Sequence, residues 1–438
     1  MERYDSYKDS GVDWIGQIPE HWNVTPLFCL MDEISQKNEY CTVTNQLQFK
    51  FGSIVEKSNQ VVDSAVAKII SSYTIVNTDD IIINGLNLNY DFVTQRVAKV
   101  TKYGVITSAY ICLRPKNLTF PCYFNYLLKT MDNKKMLNSM GTGIRQTLSY
   151  KQLRHINLSV PPISEQQAIV AYLDEETGKL DAAVEKLERM VEVLKERKQL
   201  IISKAVTRGL EDSVPLKDSG LEWIGQIPEH WSINRFKDIF TLNTGISFTK
   251  ADLVETGQPV ISYGQVHSKL NQVAKANLSL IKYIPQPLTI GKQKSYCLPN
   301  DFIFADTSED FDGCGNNFYN DSDSELSVFA GSHTILAKLR CNIEGKYLAY
   351  LFSTSLWRQQ IRSRVNGVKV FSITQSILKA TSVILPPIAE QQAIAAYLDE
   401  KVGKLDEAIE KQLRMIELLK ERKQILISDV VTGKIKVA

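Results

Sequence analysis

Residues 161–174 read PPISEQQAIVAYLD, and residues 386–399 read PPIAEQQAIAAYLD. The similarity continues downstream, since 33 of 50 positions are identical when residues 161–210 are aligned with residues 386–435. A repeat of this length and identity predicts that the two copies fold alike. The constant block therefore decides the architecture of the 438-residue chain.

A second, shorter repeat precedes each variable part of the chain. Residues 8–22 read KDSGVDWIGQIPEHW and recur at residues 217–231, where only Val12 and Asp13 are replaced, by Leu and Glu. The bodies that follow these short motifs, residues 23–160 and 232–385, show little identity to each other. The chain is thus two copies of one plan: a short motif, a variable body and a constant block. One shared geometry with two divergent bodies suggests two different specificities.

Each constant block predicts a long helix. Its Pro-Pro pair cannot continue a strand ladder. In the first copy Ser164 can cap the helix, and Glu165 falls in the first turn, where a carboxylate suits the helix dipole. Helix formers then run to about residue 202, or about residue 427 in the second copy, and Gly209 and Gly433 follow as terminators.

Both predicted helices carry a coiled-coil seam, with seam residues at alternating spacings of four and three. The seam positions are Leu173, Thr177, Leu180, Val184, Leu187, Val191, Leu194, Lys198 and Ile201, then Leu398, Val402, Leu405, Ile409, Gln412, Ile416, Leu419, Lys423 and Leu426. The polar seam residues are expected to fix register and partner. Because two seams are linked in one chain, an antiparallel intramolecular pair is favoured over a generic coiled-coil dimerisation element. The repeat order also predicts that the chain ends meet near the first short motif, so that the chain tolerates circular permutation.

The variable bodies predict α+β domains with a curved sheet. The predicted strands are Val66–Val76, Ile81–Ile83, Val105–Leu113, Phe302–Ala305 and Thr334–Leu339, and the predicted helical patches are Tyr123–Met131 with Lys134–Asn138, and Tyr347–Gln360. The predicted domains are a first variable domain at 1–160, a central helical region at 161–209, a second variable domain at 210–385 and a C-terminal helical region at 386–438.

Charge is unevenly distributed along the chain. The net charge is only +2, but residues 23–160 carry +6, residues 232–385 carry +4, and the remaining segments together carry −8. Because phosphate charges are felt only within about 10 Å at physiological salt, local charge matters more than the total. Two mildly basic bodies are therefore compatible with nucleic-acid binding.

The polar loops of both bodies contain side chains of the kind that read base edges and hold phosphates. The candidates in the first body are Asn84, Asn87, Asn89, Tyr90, Arg96, Thr142, Arg145 and Gln146. Those in the second body are Ser247, Thr249, Lys250, Tyr263, Gln265, His267, Asn316, Asn317, Arg362, Arg364, Asn366 and Lys369. The alternative for each residue is an ordinary solvated loop position.

Catalytic and cofactor motifs fail on inspection. Residues 311–315 match the FxGxG loop that binds S-adenosylmethionine, but turn-forming residues surround them where a strand and a helix are needed. The chain has no GxxxxGK[ST] loop, and its five histidines lack HxxxH or HExxH spacing. His21 and His230, beside the tryptophans of the short motifs, are predicted to pack or cap. The sequence thus predicts a non-catalytic chain that binds no metal and no cofactor of its own.

Cysteine usage and hydropathy suggest the compartment. The seven cysteines are odd in number and form no CxxC pair, which favours free, buried or semi-buried thiols in a reducing cytosol. No apolar stretch reaches the roughly 18 residues of a membrane helix, and residues 1–5 have no apolar signal core. A cytoplasmic location is expected.

Both repeats resemble one known family. DSGxxWIGxIPxxW, at 9–22 and 218–231, and PPxxEQQAIxxYLD, at 161–174 and 386–399, resemble the motifs of Type I restriction-modification specificity subunits, the HsdS family. The resemblance covers essentially the whole chain. It implies two α/β target recognition domains, joined by two long antiparallel coiled-coil helices with pseudo-two-fold symmetry.

The resemblance also implies a function. Each recognition domain would read one half of a split site in double-stranded DNA, while the helices set the spacing and dock two modification (methyltransferase) subunits. Restriction subunits would complete the complex, and S-adenosylmethionine, ATP and Mg²⁺ would be bound by these partners. No base-contacting residue can be carried over, because the bodies diverge too far. The alternatives are a fused methyltransferase or nuclease, and a coiled-coil scaffold without DNA affinity.

Overall fold

The computed structural model describes residues 2–50, 52–58, 64–116, 119–144, 146–321, 327–367 and 369–437. The chain divides into two compact units. The first unit contains Met1–Glu188 and Leu413–Ala438, and the second contains Arg189–Gln412. Each unit therefore holds one variable body and part of both long helices.

The first unit combines short strands with short helices and the first part of a long helix. Its strands are β1 (Tyr7–Asp9), β2 (Gln17–Pro19), β3 (Asn23–Pro26), β4 (Met31–Glu33), β5 (Leu47–Lys50), β6 (Ser53–Glu56), β7 (Thr74–Val76), β8 (Ile81–Ile83), β9 (Val97–Lys99), β10 (Gly104–Ile106), β11 (Ile111–Pro115) and β12 (Asn157–Val160). Its helices are α1 (Leu27–Leu30), α2 (Ser64–Ile70), α3 (Pro121–Asn133), α4 (Met136–Ser139), α5 (Tyr150–Leu153) and the start of α6 (Ile163–Arg208).

The second unit follows the same plan with a larger body. Its strands are β13 (Leu216–Asp218), β14 (Gln226–Pro228), β15 (Ser232–Arg235), β16 (Phe240–Thr244), β17 (Gln258–Ile261), β18 (Lys282–Ile284), β19 (Tyr296–Cys297), β20 (Phe302–Ala305), β21 (Thr307–Ser308), β22 (Asn317–Tyr319), β23 (Val328–Ala330), β24 (Thr334–Leu339), β25 (Phe371–Ser372) and β26 (Ser382–Leu385). Its helices are α7 (Phe236–Ile239), α8 (Tyr263–Val266), α9 (Gly345–Ser353), α10 (Ser355–Arg362), α11 (Gln375–Lys379) and the start of α12 (Ile388–Val431). Short 3₁₀ helices cover Lys250–Asp252, Leu278–Leu280, Gln286–Thr289 and Gln293–Ser295.

The sheets are mainly antiparallel, as expected of α+β domains. The first body contains a four-stranded antiparallel sheet in the order β4-β11-β8-β9. The second body contains two four-stranded sheets, β16-β24-β20-β22 and β18-β17-β23-β19, and in the latter β17 runs parallel to β23. Each body begins and ends on one two-stranded ribbon, β3 with β12 in the first and β15 with β26 in the second.

The predicted strand Val105–Leu113 is wrong as one strand, because residues 107–110 form a turn between β10 and β11, which lie in different sheets. The predicted strand Val66–Val76 is wrong over its first half. Helix α2 occupies Ser64–Ile70, and β7 begins only at Thr74. The β-branched residues suggested a strand, but Ala65, Ala67 and Lys68 favour a helix. Only Ile70 of this helix is buried, so the core does not demand the alternation of a strand.

The long helices run further than predicted, because their last turns enter the cores of the bodies. Val430 and Val431 of α12 are buried in the first unit, and Ala205 and Val206 of α6 are buried in the second. The buried hydroxyl of Tyr123 donates to the Val431 carbonyl at 3.0 Å. At the repeat-equivalent place, Tyr347 donates to the Val206 carbonyl at 3.2 Å. Gly209 and Gly433 then end the helices with φ of 76° and 77°, as predicted.

The predicted seam is correct, because every seam residue is buried or half-buried. In the first unit, Lys423 Nζ lies 2.6 Å from Asp181 Oδ2, and Lys420 Nζ lies 2.9 Å from Glu188 Oε1. Residue numbers fall on one helix as they rise on the other, so the paired segments are antiparallel. In the second unit, Lys198 Nζ lies 2.6 Å from Asp406 Oδ1, which is the same ion pair by repeat. The lysines that interrupt the seam are thus paired.

The short motifs clasp the first turn of each long helix. Glu165 Oε1 accepts hydrogen bonds from Trp22 Nε1 at 3.1 Å and from the Tyr4 hydroxyl at 2.5 Å. Glu165 Oε2 lies 2.8 Å from His21 Nε2. Burial and the neighbouring Glu165 raise the pKa of Tyr4 well above its usual value. Helix α6 begins at Ile163, so Ser164 lies in its first turn and is not the cap that the sequence suggested.

The second short motif repeats this clasp in a reduced form. Glu390 accepts from Trp231 Nε1 at 3.2 Å, and its other oxygen lies 2.8 Å from His230 Nε2. Ser213 stands where the repeat would place the counterpart of Tyr4. The prediction that His21 and His230 pack or cap is confirmed, since both bind the carboxylate in the first helical turn.

Candidate nucleic-acid interface

Two loops of the first body come together, and both were predicted as candidates. One loop, residues 84–96, joins β8 to β9, and the other is the hairpin 141–147. The backbone N–H of Leu88 donates to the Gln146 carbonyl at 3.0 Å, and that of Leu148 donates to the Gly85 carbonyl at 2.8 Å. We call residues 84–96 and 141–147 the paired loops.

Arg96 organises the first of the paired loops from within. It is buried, and its guanidinium donates to the carbonyls of Leu86 at 2.9 Å and Asp91 at 2.7 Å, with longer bonds to Asn84 and Asn87. A buried guanidinium whose two Nη groups both bind loop carbonyls is poorly placed to read a base. The structure therefore favours a structural role for Arg96 over the predicted contact with DNA.

Two further polar side chains fix the same loop. Asn138 is buried, and its Nδ2 donates to the carbonyls of Leu88 at 2.7 Å and Asp91 at 3.1 Å. Asp91 Oδ1 accepts from the backbone N–H groups of Val93 and Thr94, each at 2.9 Å. These two backbone hydrogen bonds lower the pKa of Asp91 to about 2. The carboxylate therefore stays charged further into the acidic range than an ordinary aspartate does.

The other candidate side chains of the first body differ in how exposed they are to solvent. Asn87 and Gln146 are exposed and have positive φ, 51° and 40°, which presents them at turns. Thr142 is exposed and accepts from Gln152 Nε2 at 2.8 Å. Tyr90 is exposed, whereas Asn84 accepts from the Leu86 N–H, and Asn89 has a buried Oδ1 without a hydrogen-bond partner among the described residues. Arg145 lies outside the described residues.

A cleft of about 740 Å³ opens in the second body. It brings the candidates Tyr263, His267 and Asn316 together with the acidic stretch that follows β20. The complete lining is Tyr263, Gly264, His267, Thr307, Ser308, Glu309, Asp310, Asp312, Gly313, Asn316, His333 and Val370. Residues 311–315 form a turn that leads into β22 and not a helix, as expected of a chance FxGxG match. Of the acidic stretch 306–325, residues 322–325 lie outside the described residues.

A hydrogen-bond chain runs through one wall of this cleft. His267 Nε2 lies 2.8 Å from the Thr307 carbonyl, and its Nδ1 lies 3.1 Å from Asn316 Nδ2. Asn316 Oδ1 accepts from Arg358 Nη1 at 2.7 Å. Burial lowers the pKa of Arg358 to about 10. Because the chain occupies both functional ends of Asn316, this residue and His267 shape the cleft more than they offer free donors to a ligand.

The remaining candidates of the second body divide in the same way. Ser247 and Lys369 are exposed in loops, Asn366 is exposed and bridges to Ser372, and Lys250 is exposed at the start of a 3₁₀ helix. Five make short-range contacts: Thr249 with Asp252, Gln265 with the Ser262 N–H, Asn317 with the Gly315 carbonyl, Arg362 with Asp312, and Arg364 with the Gln360 carbonyl. The exposed Lys369 adjoins the cleft, since its neighbour Val370 is part of the lining.

The long helices carry an exposed apolar stripe beside the seam, which the sequence reasoning missed. We call it the outer stripe: Met190, Val193 and Leu200 on α6 in the second unit, and the repeat equivalents Met415, Leu418 and Ile425 on α12 in the first unit. Each of these residues directly precedes a seam residue. That offset is the signal that could have revealed the stripe.

The cysteines, possible metal ligands and possible membrane spans were also compared with the sequence predictions. All seven cysteines are free, and burial raises the pKa of Cys112 to about 12. Cys29 and Cys341 are exposed, so the expectation of buried or semi-buried thiols is wrong for these two. Among the described residues, no group of three or more His, Cys, Asp or Glu side chains is arranged to hold a metal ion. Nor does any helix in the described ranges have the length and apolar character of a membrane span.

Comparison with known proteins places both bodies in one family. The family model described as "Type I restriction modification DNA specificity domain" matches residues 44–189 and 228–418, more than half of the chain. The chain is 22% identical over 426 residues to the Type I restriction enzyme MjaVIII specificity subunit of Methanocaldococcus jannaschii, covering 96% of this chain and 94% of that protein. It is 24% identical over 215 residues to the EcoKI specificity subunit of Escherichia coli, covering 48% and 44%.

A solved structure shares the fold. It comes from work on complex assembly and conformational transition of the type I R-M system, and it superposes with a TM-score of 0.67 at 16% identity. The superposition covers 95% of this chain and 99% of the other.

Proposed function

Because the chain belongs to the Type I restriction-modification DNA specificity family, we propose that it is the subunit that reads the DNA sequence for such a system. Each variable body reads one half of a split site in double-stranded DNA. The observation that carries the proposal is the family match over both bodies, together with the near-identical frames that present them. Two divergent bodies on one repeated frame suit a site with two different halves.

The loops of the bodies support a role in recognition. In the first body the paired loops offer exposed Asn87 and Gln146, whose amides can bond adenine N6 and N7. In the second body, Lys250, Asn366 and Lys369 are exposed. Lysines suit phosphates or guanine, and amides suit adenine. The net charges of +6 and +4 on the two bodies favour a polyanion.

The long helices supply the surface for partner subunits in this proposal. The outer stripe occurs once in each unit, at repeat-equivalent positions, so it fits two copies of the same partner. Exposed apolar residues at helical spacing are typical of a protein contact. We assign this contact to two modification subunits, which carry the methyltransferase chemistry. Restriction subunits then join, and S-adenosylmethionine, ATP and Mg²⁺ bind to these partners and not to this chain.

The proposal makes this chain a non-catalytic component that acts in the cytoplasm. Seven free thiols suit a reducing compartment. A fused methyltransferase or nuclease would instead require that the isolated chain bind S-adenosylmethionine or cleave DNA. No specific observation in either body favours that alternative.

Methylome sequencing tests the proposal directly. Cells that carry this gene with its modification partner should show adenine methylation at one split motif, and cells that lack only this gene should lose it. Exchange of residues 23–160 for the body of another family member should change one half of the motif and leave the other half unchanged. Methylation that persists without the chain, or that changes in both halves, would contradict the proposal.

A binding experiment separates a DNA reader from a coiled-coil scaffold. The chain with its modification partner should retard a duplex that contains the motif, and the affinity should fall steeply as salt rises, because phosphate contacts release counterions. A matched duplex with a scrambled motif should bind at least 10³-fold more weakly, which is the lower end of specific binding. Binding that is absent, or equal for both duplexes, would favour the scaffold.

A further inference from the structure

The paired loops of the first body expose apolar side chains that the fold does not need. Tyr90, Phe92, Val93 and Ile144 have exposed fractions of 77%, 53%, 92% and 98%. Three of them lie within four consecutive residues, and Ile144 lies at the tip of the hairpin that is bonded to the same loop. Apolar residues clustered on one exposed feature point to a contact with another molecule.

This exposure does not come from a loosely held loop. Arg96 bonds four carbonyls of the loop, Asn138 bonds two, and Asp91 caps the turn that presents Val93. Leu88, between the exposed residues and the body, is fully buried. A backbone held by so many internal bonds presents its apolar side chains in one position before any ligand arrives, which lowers the entropic cost of binding.

The neighbouring polar residues identify the ligand chemistry. Asn87 lies in the same loop as Val93, and Gln146 lies two residues from Ile144; both amides are exposed and both have positive φ. In the major groove an A·T pair presents a donor and an acceptor on adenine and a methyl group on thymine. An exposed amide in the same loop as an exposed apolar side chain matches that pattern, whereas a G·C pair offers no methyl group.

We propose that Val93 and Ile144 are specificity-determining residues that contact thymine 5-methyl groups, while Asn87 and Gln146 face adenine edges of the same or adjacent base pairs. The inference rests on the proposed function and deepens it, because it names the base pair that the paired loops read. The body carries +6, which favours a polyanion such as a nucleic acid over a neutral or basic protein as the occupant.

The test uses the full chain with its modification partner and duplexes in which single thymines of the split motif are replaced by deoxyuridine. This exchange removes only the 5-methyl group. For the wild-type chain we expect about fourfold weaker binding at one or more thymines of one half-site, as for the loss of one buried methyl group. Val93→Ala or Ile144→Ala should weaken binding to the thymine duplex by a similar factor and should abolish the deoxyuridine penalty at its own position.

Two controls keep the result specific. Ile69→Ala removes an exposed apolar residue from α2 of the same body, and it should leave both the affinity and the deoxyuridine penalty unchanged. The second half-site should respond identically in all variants. Since Val93 and Ile144 are almost fully exposed, their replacement should not alter thermal unfolding.

Each result decides the question. No deoxyuridine penalty in the wild type, or a penalty that both variants retain, would overturn the inference. A failure of the proposed function itself is distinct, since the unsubstituted motif duplex would then bind no better than a scrambled one.

Discussion

At the scale of single residues, one carboxylate fastens each short motif to its long helix. Glu165 serves three donors, and Glu390 serves two. The side chain of Glu165 is also better shielded, with 10% exposed against 26% for Glu390. Because a hydrogen bond to a buried charge is worth more than one at the surface, the two clasps should differ in strength.

We therefore expect Glu165→Ala to lower the free energy of unfolding by about 2–3 kcal/mol, since Trp22 Nε1 loses, in a buried place, the acceptor that it has among the described residues. Glu390→Ala is the matched variant and should cost about 1–2 kcal/mol. Urea titration followed by tryptophan fluorescence measures both. Equal losses in the two variants would argue against the role that we give to Tyr4 and to burial.

Arg96 provides a second prediction at this scale. Arg96→Met removes the donors of four loop carbonyls, so amide hydrogen exchange should accelerate across residues 85–91. DNA binding should fall at least tenfold, because the loop no longer presents its side chains in one position. Arg340→Met, which removes a bond to one side chain, Thr241, in the second body, is the control. Retained affinity with unchanged exchange would contradict the organising role.

At the residue scale, the sequence predicted which loops of the first body matter but not the role of each side chain in them. It selected both paired loops because Asn, Gly and Thr cluster there. It could not tell that Arg96 turns inward, since that depends on carbonyls that converge only after folding. The exposed Val93 and Ile144 were passed over because apolar residues are ordinarily taken as core. Only the fold shows that Leu88 packs in the core while Val93 is exposed in the same loop.

At the scale of elements, the helix pair was the most predictable part of the molecule. A seam is a local, periodic signal, and both copies carry it, so each confirms the other. The ion pairs show how the two helices are aligned. Lys198 and Lys423 interrupt the seam and need acidic partners, and these are the repeat-equivalent Asp406 and Asp181. The short strands of the bodies were harder, since three-residue strands take their identity from neighbours distant in sequence.

The ion pairs across the seam give the prediction at this scale. Lys423→Asp places like charges at Asp181 and should destabilise the helix pair by roughly 1 kcal/mol, and Asp181→Lys should act similarly. The double variant restores opposite charges and should recover most of the loss, with a coupling of about 0.5–1 kcal/mol in a double-mutant cycle. Thermal melts at low and high salt measure it. Additive effects would mean that the pair contributes nothing to register.

The helices also make a prediction about DNA spacing. Inserting seven residues after Glu188 and seven after Gln412 keeps the heptads in phase and lengthens both helices by about 10 Å. The methylated motif should then have a spacer longer by about three base pairs, at 3.4 Å each, with both half-sites unchanged. Methylome sequencing reads the outcome. Altered half-site bases with an unaltered spacer would refute the spacing role.

At the scale of the whole molecule, the duplication makes the two ends of the chain equivalent to an internal junction. Glu2 pairs with Lys436, and Gly433 lies against Pro19, much as Gly209 lies against Trp231 in the other copy. This meeting of the ends near the first short motif was predicted from repeat order alone and is confirmed. The details of the bodies could not be predicted in this way, because no second copy of either body exists in the chain for comparison.

A circular permutant tests the equivalence. Joining residues 437 and 2 by a short flexible linker and opening the chain within residues 210–215, ahead of β13, should preserve the fold. Its circular dichroism spectrum and its melting temperature, to within a few degrees, should match the original chain, and it should direct methylation of the same motif. A control opened within β24, at the centre of a sheet, should fail to fold.

The ribbons that close each body, β3 with β12 and β15 with β26, have a genetic consequence. Each body starts and ends at one such ribbon, between a short motif and a long helix whose sequences are nearly the same in both copies. Two crossovers within these repeated stretches of the gene would exchange a whole body and leave the scaffold intact. Such a gene can acquire a new half-site in one recombination event, without passing through intermediates that cannot fold.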